Sequence, residues 1–291
     1  MNMGMSQSVA SYTINALASE PVWTIKENLN TARCTLAGCG VTISTLNFGG
    51  TTDGSALSTS LTNTELYDGA SWTNQTGLNT GRSCLAGSGV SNDAFSFGGS
   101  QGNTKLGTTE LFNGSSWAAK ANLTNARSQL AGFGVSNATL AVGGRETSAV
   151  SNKTTLFNGT SWSTKATISD LRYMLAGCGS STAGLIFGGV KTGQNAIVQM
   201  FDGSAWTVKN PLSAGRGYSS GAGITTDAVV ISGNTTPVLT TERFNGTTWA
   251  AGIPVNVARY TLGASGSVAA TLSFGGSISG GTMSAVTELF S

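Results

Sequence analysis

No histidine occurs anywhere in the 291-residue chain. Its absence removes Ser-His-Asp and Cys-His catalysis, together with the commonest transition-metal ligand. Charge is scarce as well: 15 Lys and Arg stand against 13 Asp and Glu, a formal net charge of +2. Such a balance argues against nucleic acid or an anionic membrane as the main partner. No window approaches the run of about 20 apolar residues that membrane insertion needs. Met1 to Glu20 lacks the basic cluster and apolar run of a secretory signal. No loop pairs two carboxylates at the Asp-x-Asp spacing of a calcium site, and no glycine cluster opens a helix as a phosphate loop does. The expectation is a protein with no cofactor and no enzymatic activity. Cys-x-x-Cys is missing too. Cys34, Cys39, Cys84 and Cys178 are expected on inner strands as buried free thiols, which suits synthesis in a reducing cytosol.

What the chain has in abundance is a repeat. Trp23, Trp72, Trp117, Trp162, Trp206 and Trp249 are each followed ten residues later by Arg33, Arg82, Arg127, Arg172, Arg216 and Arg259. Sixteen residues beyond each Arg comes a glycine doublet, as at Gly49-Gly50 and Gly98-Gly99, with Ser232-Gly233 the one departure. Then follows a variable stretch, a position holding Glu65, Glu110, Thr155, Gln199, Glu242 or Glu288, and seven residues later the next Trp. Only the stretch after the doublet changes length. Insertions gather where backbone is exposed and unpaired, so that loop is the adaptable surface. A fixed period of this size signals stacked supersecondary units.

Each unit holds four short strand signals. One follows the Arg, as in Arg82 to Val90; a second alternates into the doublet, as with Phe95 and Phe97; a third reads Thr-Glu-Leu-Phe, as at Thr109 to Phe112. Asp-Gly or Asn-Gly then turns the chain into the Trp strand. Six such units make an all-β, six-bladed β-propeller with four antiparallel strands per blade. Small residues four, five and seven places past each Arg, Gly40 and Gly89 among them, suit an inner strand crowded near a central channel. The last unit stops after its third strand, and the first begins with an unpartnered Trp strand. The amino-terminal strand is therefore expected to close the last blade, giving an arm over 1–19 and a propeller over 20–291. The arm is either a tail without fixed contacts or a segment that orders against a neighbour.

The period, the doublet, the aromatic before the hairpin turn and the Trp seven past the Glu position resemble kelch repeats over residues 20–291. The Leu-Ala-Gly-x-Gly inner strand and the Glu-Leu-Phe-Asn-Gly-x-Ser-Trp segment are most similar to kelch-like propellers encoded by tailed bacteriophages. The usual Tyr of the family is Phe at 112, 157, 201, 244 and 290. Kelch propellers in general bind proteins or sugars and a minority are oxidases; the copper oxidase type needs imidazoles that this chain lacks. The resemblance implies a virion protein made in the host cytoplasm, a tail or capsid appendage in a homo-oligomer or larger assembly.

Alternating strand direction places all the variable loops on one face, called upper here, and both chain ends on the lower face. The arm and lower face are expected to dock onto other virion proteins while the upper face meets a host-surface glycan or protein. Candidate contacts are Thr51, Asp53, Ser55 and Ser58 in the longest loop, and Gln101, Asn103, Lys105, Arg145, Glu146, Lys191, Gln194 and Ser277 in the others. Tyr173, Tyr218 and Tyr260, just past their arginines, can add aromatic surface near the mouth. Asp53 and Glu146 are the one carboxylate pair that a glycosidase could draw from separate loops. The six arginines and six tryptophans are expected to be structural: guanidinium groups holding carbonyls or the repeat Glu, indoles packing between blades. A purely structural subunit and a cell-encoded lectin-like propeller are the alternatives.

Overall fold

The computed structural model describes residues 20–53, 59–234 and 236–291. Six four-stranded antiparallel sheets stand around an axis. Blade 2 shows the plan: Ala86–Val90 innermost, then Asp93–Phe97, Thr109–Phe112 and Trp117–Lys120 at the rim. The Glu-Leu-Phe strand pairs in register with the Trp strand, so Phe112 faces Trp117 across the Asn-Gly turn. Blade 6 is built from both ends of the chain. Gly263–Ser267, Ala270–Phe274 and Thr287–Phe290 take Trp23–Lys26 as their outer strand, with Trp23 opposite Phe290.

Packing between blades explains the tryptophans. The Trp72 ring meets Phe274 of blade 6 at 5.3 Å, Trp117 meets Phe48 of blade 1 at 5.0 Å, and Trp162 meets Phe97 of blade 2 at 5.3 Å. Five of the six indole N–H groups reach the preceding blade as well, as from Trp72 to Thr287 Oγ1 and from Trp206 to Thr154 Oγ1, Trp249 being the exception. Buried Tyr and Trp need such partners, and here they fix the blade spacing.

Two closed rings of backbone hydrogen bonds join the blades near the upper end of the channel. In the first, the N–H of Gly50, Gly99, Gly144, Gly189, Gly233 and Gly276 donates to the carbonyl of the repeat Arg in the next blade, the last bond returning to Arg33. Both residues of the doublet hold positive φ, at +68° and +102° for Gly49 and Gly50, and a Cβ on Gly49 would sit 2.7 Å from the Arg82 carbonyl. That is why the doublet recurs.

The second ring lies two residues past each Arg. Thr35, Cys84, Gln129, Met174, Tyr218 and Thr261 are all left-handed, with φ between +51° and +61°. Each donates its N–H to the carbonyl of the residue before it around the ring, from Cys84 to Thr35 through to Thr35 to Thr261. Six non-glycine residues in this region are uncommon, and the closed circuit is what holds them there.

Three expectations need correction. The inner strand begins at Ala86, not at Arg82, because Ser83 bridges to Ser100 and Cys84 turns left-handed above it. Cys34 and Cys84 therefore lie above the inner strands, whereas Cys39 and Cys178 lie within them. All four are buried free thiols. The glycine five past the Arg in blades 1 to 5 (blade 6 has Ala264) answers to a neighbouring ring more than to crowding at the axis: a Cβ on Gly87 would meet Phe48 Cζ at 2.6 Å.

Candidate functional site

The repeat arginines are wholly internal. Arg82 Nη1 donates to the carbonyls of Gly98 and, at 2.7 Å, Thr108, while Nη2 bonds Glu110. Glu110 also accepts the Asn79 N–H at 2.7 Å, so one carboxylate pins the loop that crosses from the preceding blade. The same clasp joins Arg216 to Glu242 at 2.5 Å and Arg259 to Glu288 at 2.8 Å, while Arg33 and Glu65 form an ion pair at 3.0 Å without a hydrogen bond between them. In blade 3 Thr155 Oγ1 takes the guanidinium at 2.6 Å, and in blade 4 Gln199 Oε1 does so at 2.7 Å. Burial pulls Arg127 and Arg172 down to about 10, and also lowers Arg82 and Arg259. These groups build the fold and are closed to ligands.

Above them the inner wall of the channel encloses an upper cup of about 150 Å³, bounded by the left-handed ring and the tops of all six inner strands. Its rim is uneven. Blades 1 and 2 line it with Thr35 and Cys84. Blades 3 to 6 line it with Gln129, Met174, Tyr218 and Thr261, and next to these stand Arg145, Tyr173 and Tyr260. The Arg145 guanidinium lies over the Tyr173 ring, 4.9 Å from its centroid. Tyr218 and Tyr260 meet edge to face at 6.3 Å and 86°. Burial raises the Tyr218 pKa; smaller influences come from Tyr173, Cys84, Arg145 and Tyr260. Tyr218 itself lines the cup.

The other candidates scatter more widely. Gln101, Asn103 and Lys105 sit in a small hairpin, Ser100–Gln101 with Thr104–Lys105, raised from blade 2. Lys191 and Gln194 are exposed on blade 4. Asp53 accepts from Thr51 at 2.7 Å and Thr59 at 2.9 Å, and Glu146 is held by Lys153 at 2.8 Å. The two carboxylates are thus committed to their own loops. Thr51 and Ser277 are buried, drawn inward by bridges to Cys34 and Tyr260, and so are not surface contacts. Ser55, Ser58 and the arm over 1–19 lie outside the described residues.

Surface charge is segregated in a way that the small net value hides. Lys26, Lys120, Lys165 and Lys209 end the outer strands on the upper side, joined there by Lys105, Arg145, Lys153 and Lys191. Glu27, Asp53, Glu146 and the partly buried Asp170 oppose them. The lower side carries Glu20, Asp68, Asp93, Asp202 and Asp227 against Arg243 alone. Backbone N–H groups of their own turns hold Asp68 and Asp202 below the usual carboxylate range.

The lower mouth of the channel is apolar. Val41, Val90, Val135 and Ile224 end their inner strands at 44–57% exposure, and Ile43 is 70% exposed. A groove of about 630 Å³ opens between blades 5 and 6, beside the point where residue 20 enters, lined by Trp23, Ile253, Pro254 and Phe290 among others. The sequence reading missed the left-handed ring, this aliphatic collar and the charge segregation. The last two were available from the repeat register, eight past Arg and three past Trp.

No protein-family model matches the chain, and no curated protein matches it in sequence. The geometry alone supports the six-bladed propeller.

Proposed function

We propose that the chain is a non-enzymatic display module of a virion, a kelch-like propeller of tailed-bacteriophage type mounted by its lower face. The observation that carries this reading is the division of labour between faces. All length variation falls on the upper side, where loops can change without disturbing a blade, and both ends of the described chain fall on the lower side. The aliphatic collar at the lower mouth suits attachment, since exposed apolar residues grouped together mark interaction surfaces. Other virion proteins are the proposed partners there, through residues 1–19 and the collar. A host-surface glycan or protein is the proposed partner above.

The test is a glycan array probed with the intact protein and with a variant whose Thr51 to Asn63 loop is replaced by a short Gly-Ser turn. Binding that falls in the variant supports a ligand face. Unchanged binding moves the site off this loop, and no binding at all favours a second reading, a structural subunit whose collar packs into an array.

A further inference from the structure

We infer that the upper mouth holds an acidic sugar, its carboxylate on Arg145 and its ring against Tyr218 and Tyr260. The inference rests on the upper face being the ligand face and names what that face selects.

Arg145 is the centre of the argument. Its guanidinium carbon lies over the Tyr173 ring, 4.9 Å from the centroid, a cation–π contact that holds the group at the mouth. Among the described residues no carboxylate lies within ion-pair distance of it, because the adjacent Glu146 is taken by Lys153. An exposed guanidinium held on an aromatic ring, with no carboxylate of its own, is a group that can bind one through two parallel hydrogen bonds. The same positive charge rejects a quaternary ammonium, the other ligand that clustered aromatic rings attract.

The remaining features fit a saccharide. Tyr218 lines the cup and Tyr260 meets it edge to face, giving two aromatic surfaces for one ring. The cup of about 150 Å³ lies below the ~300–1,000 Å³ range of pockets that enclose drug-sized ligands, so it takes one ring of a longer chain. Cations on the upper face are spread around a circle, which draws anions toward the mouth but offers no linear track for a phosphate backbone.

The experiment is affinity electrophoresis of the whole protein in gels containing polygalacturonate or alginate, each beside its methyl ester, with neutral dextran and a single-stranded DNA oligonucleotide as controls. The free acids are expected to retard the protein and the esters and dextran are not. Arg145→Gln and Tyr218→Ala are each expected to weaken retardation roughly tenfold or more, the scale of one lost charge-assisted contact, whereas Lys120→Gln at the outer rim changes it less than about twofold. Thermal unfolding of the Arg145→Gln protein checks that the variant is folded. Equal retardation by ester and acid, equal retardation by DNA, an Arg145→Gln effect no larger than that of Lys120→Gln, or no retardation by either acid would overturn the inference. Neutral-glycan binding that depends on the Thr51 to Asn63 loop would leave the display reading standing while removing the acidic ligand.

Discussion

Blades 2 and 3 solve one problem with different chemistry. Both bury a guanidinium at zero exposure and both hand it two or more oxygen acceptors. In blade 2 the last acceptor is the Glu110 carboxylate; in blade 3 it is the Thr155 hydroxyl. Blade 4 uses the Gln199 amide, and there the loop residue changes in step, with Ser169 Oγ accepting from Gln199 at 2.9 Å where Asn79 had donated to Glu110. The lower turns repeat the lesson on the surface. Asp68 and Asn113 each accept two turn N–H groups at 2.8–3.0 Å. What each position demands is an oxygen in the right place. Charge is optional, and its consequences appear only when a partner is removed.

That comparison breaks most visibly at the arginines. Arg82→Ala strands the Glu110 carboxylate in the interior and is expected to cost about 3–5 kcal/mol, while Arg127→Ala strands only neutral groups and is expected to cost about 1–3 kcal/mol. Thermal or denaturant unfolding of the two variants measures the gap; equal losses would mean that the carboxylate adds nothing. Glu110→Gln is expected to cost about 1–3 kcal/mol, since its amide hydrogens would face the Asn79 N–H. Adding Asn79→Ser imitates blade 4 and should recover part of that loss, which a double-mutant cycle reads directly. Thr155→Val keeps the shape of blade 3 but removes the acceptor for Arg127, at about 1–2 kcal/mol.

The smallest effect is at the turns. Asp68 has a depressed folded pKa, so its stabilisation is present above the ordinary carboxylate pKa and is lost as pH falls through the folded value. Asp68→Asn should flatten that acid limb of the unfolding midpoint and leave neutral pH nearly unchanged. Asn113→Asp in blade 2 should create the same limb where none exists.

Much of this was legible in the residues. Fixed spacings among Trp, Arg, doublet and Glu gave blade number, strand order and closure, because each of these residues does a job tied to one place in the blade. Trp23 opposite Phe290 follows from the missing fourth strand alone. The left-handed ring was not legible. Its six members share no side-chain type, since Thr35, Gln129 and Tyr218 are held by a backbone circuit that spans all blades, and no local pattern encodes that. The mouth was half legible. Tyr173, Tyr218, Tyr260 and Arg145 could be named from loop position, but only the fold shows that they meet, and that Thr51 and Ser277 turn inward instead.

Closure of blade 6 sets a timetable for biosynthesis. Thr24 and Leu289, which bond across the seam, are 265 residues apart. Trp23–Lys26 must wait for the 265 residues of that separation before it finds its mate, with Trp23 uncovered meanwhile. Pairing across so great a separation is slow, and nascent edges left open in that interval invite mispairing between neighbouring chains.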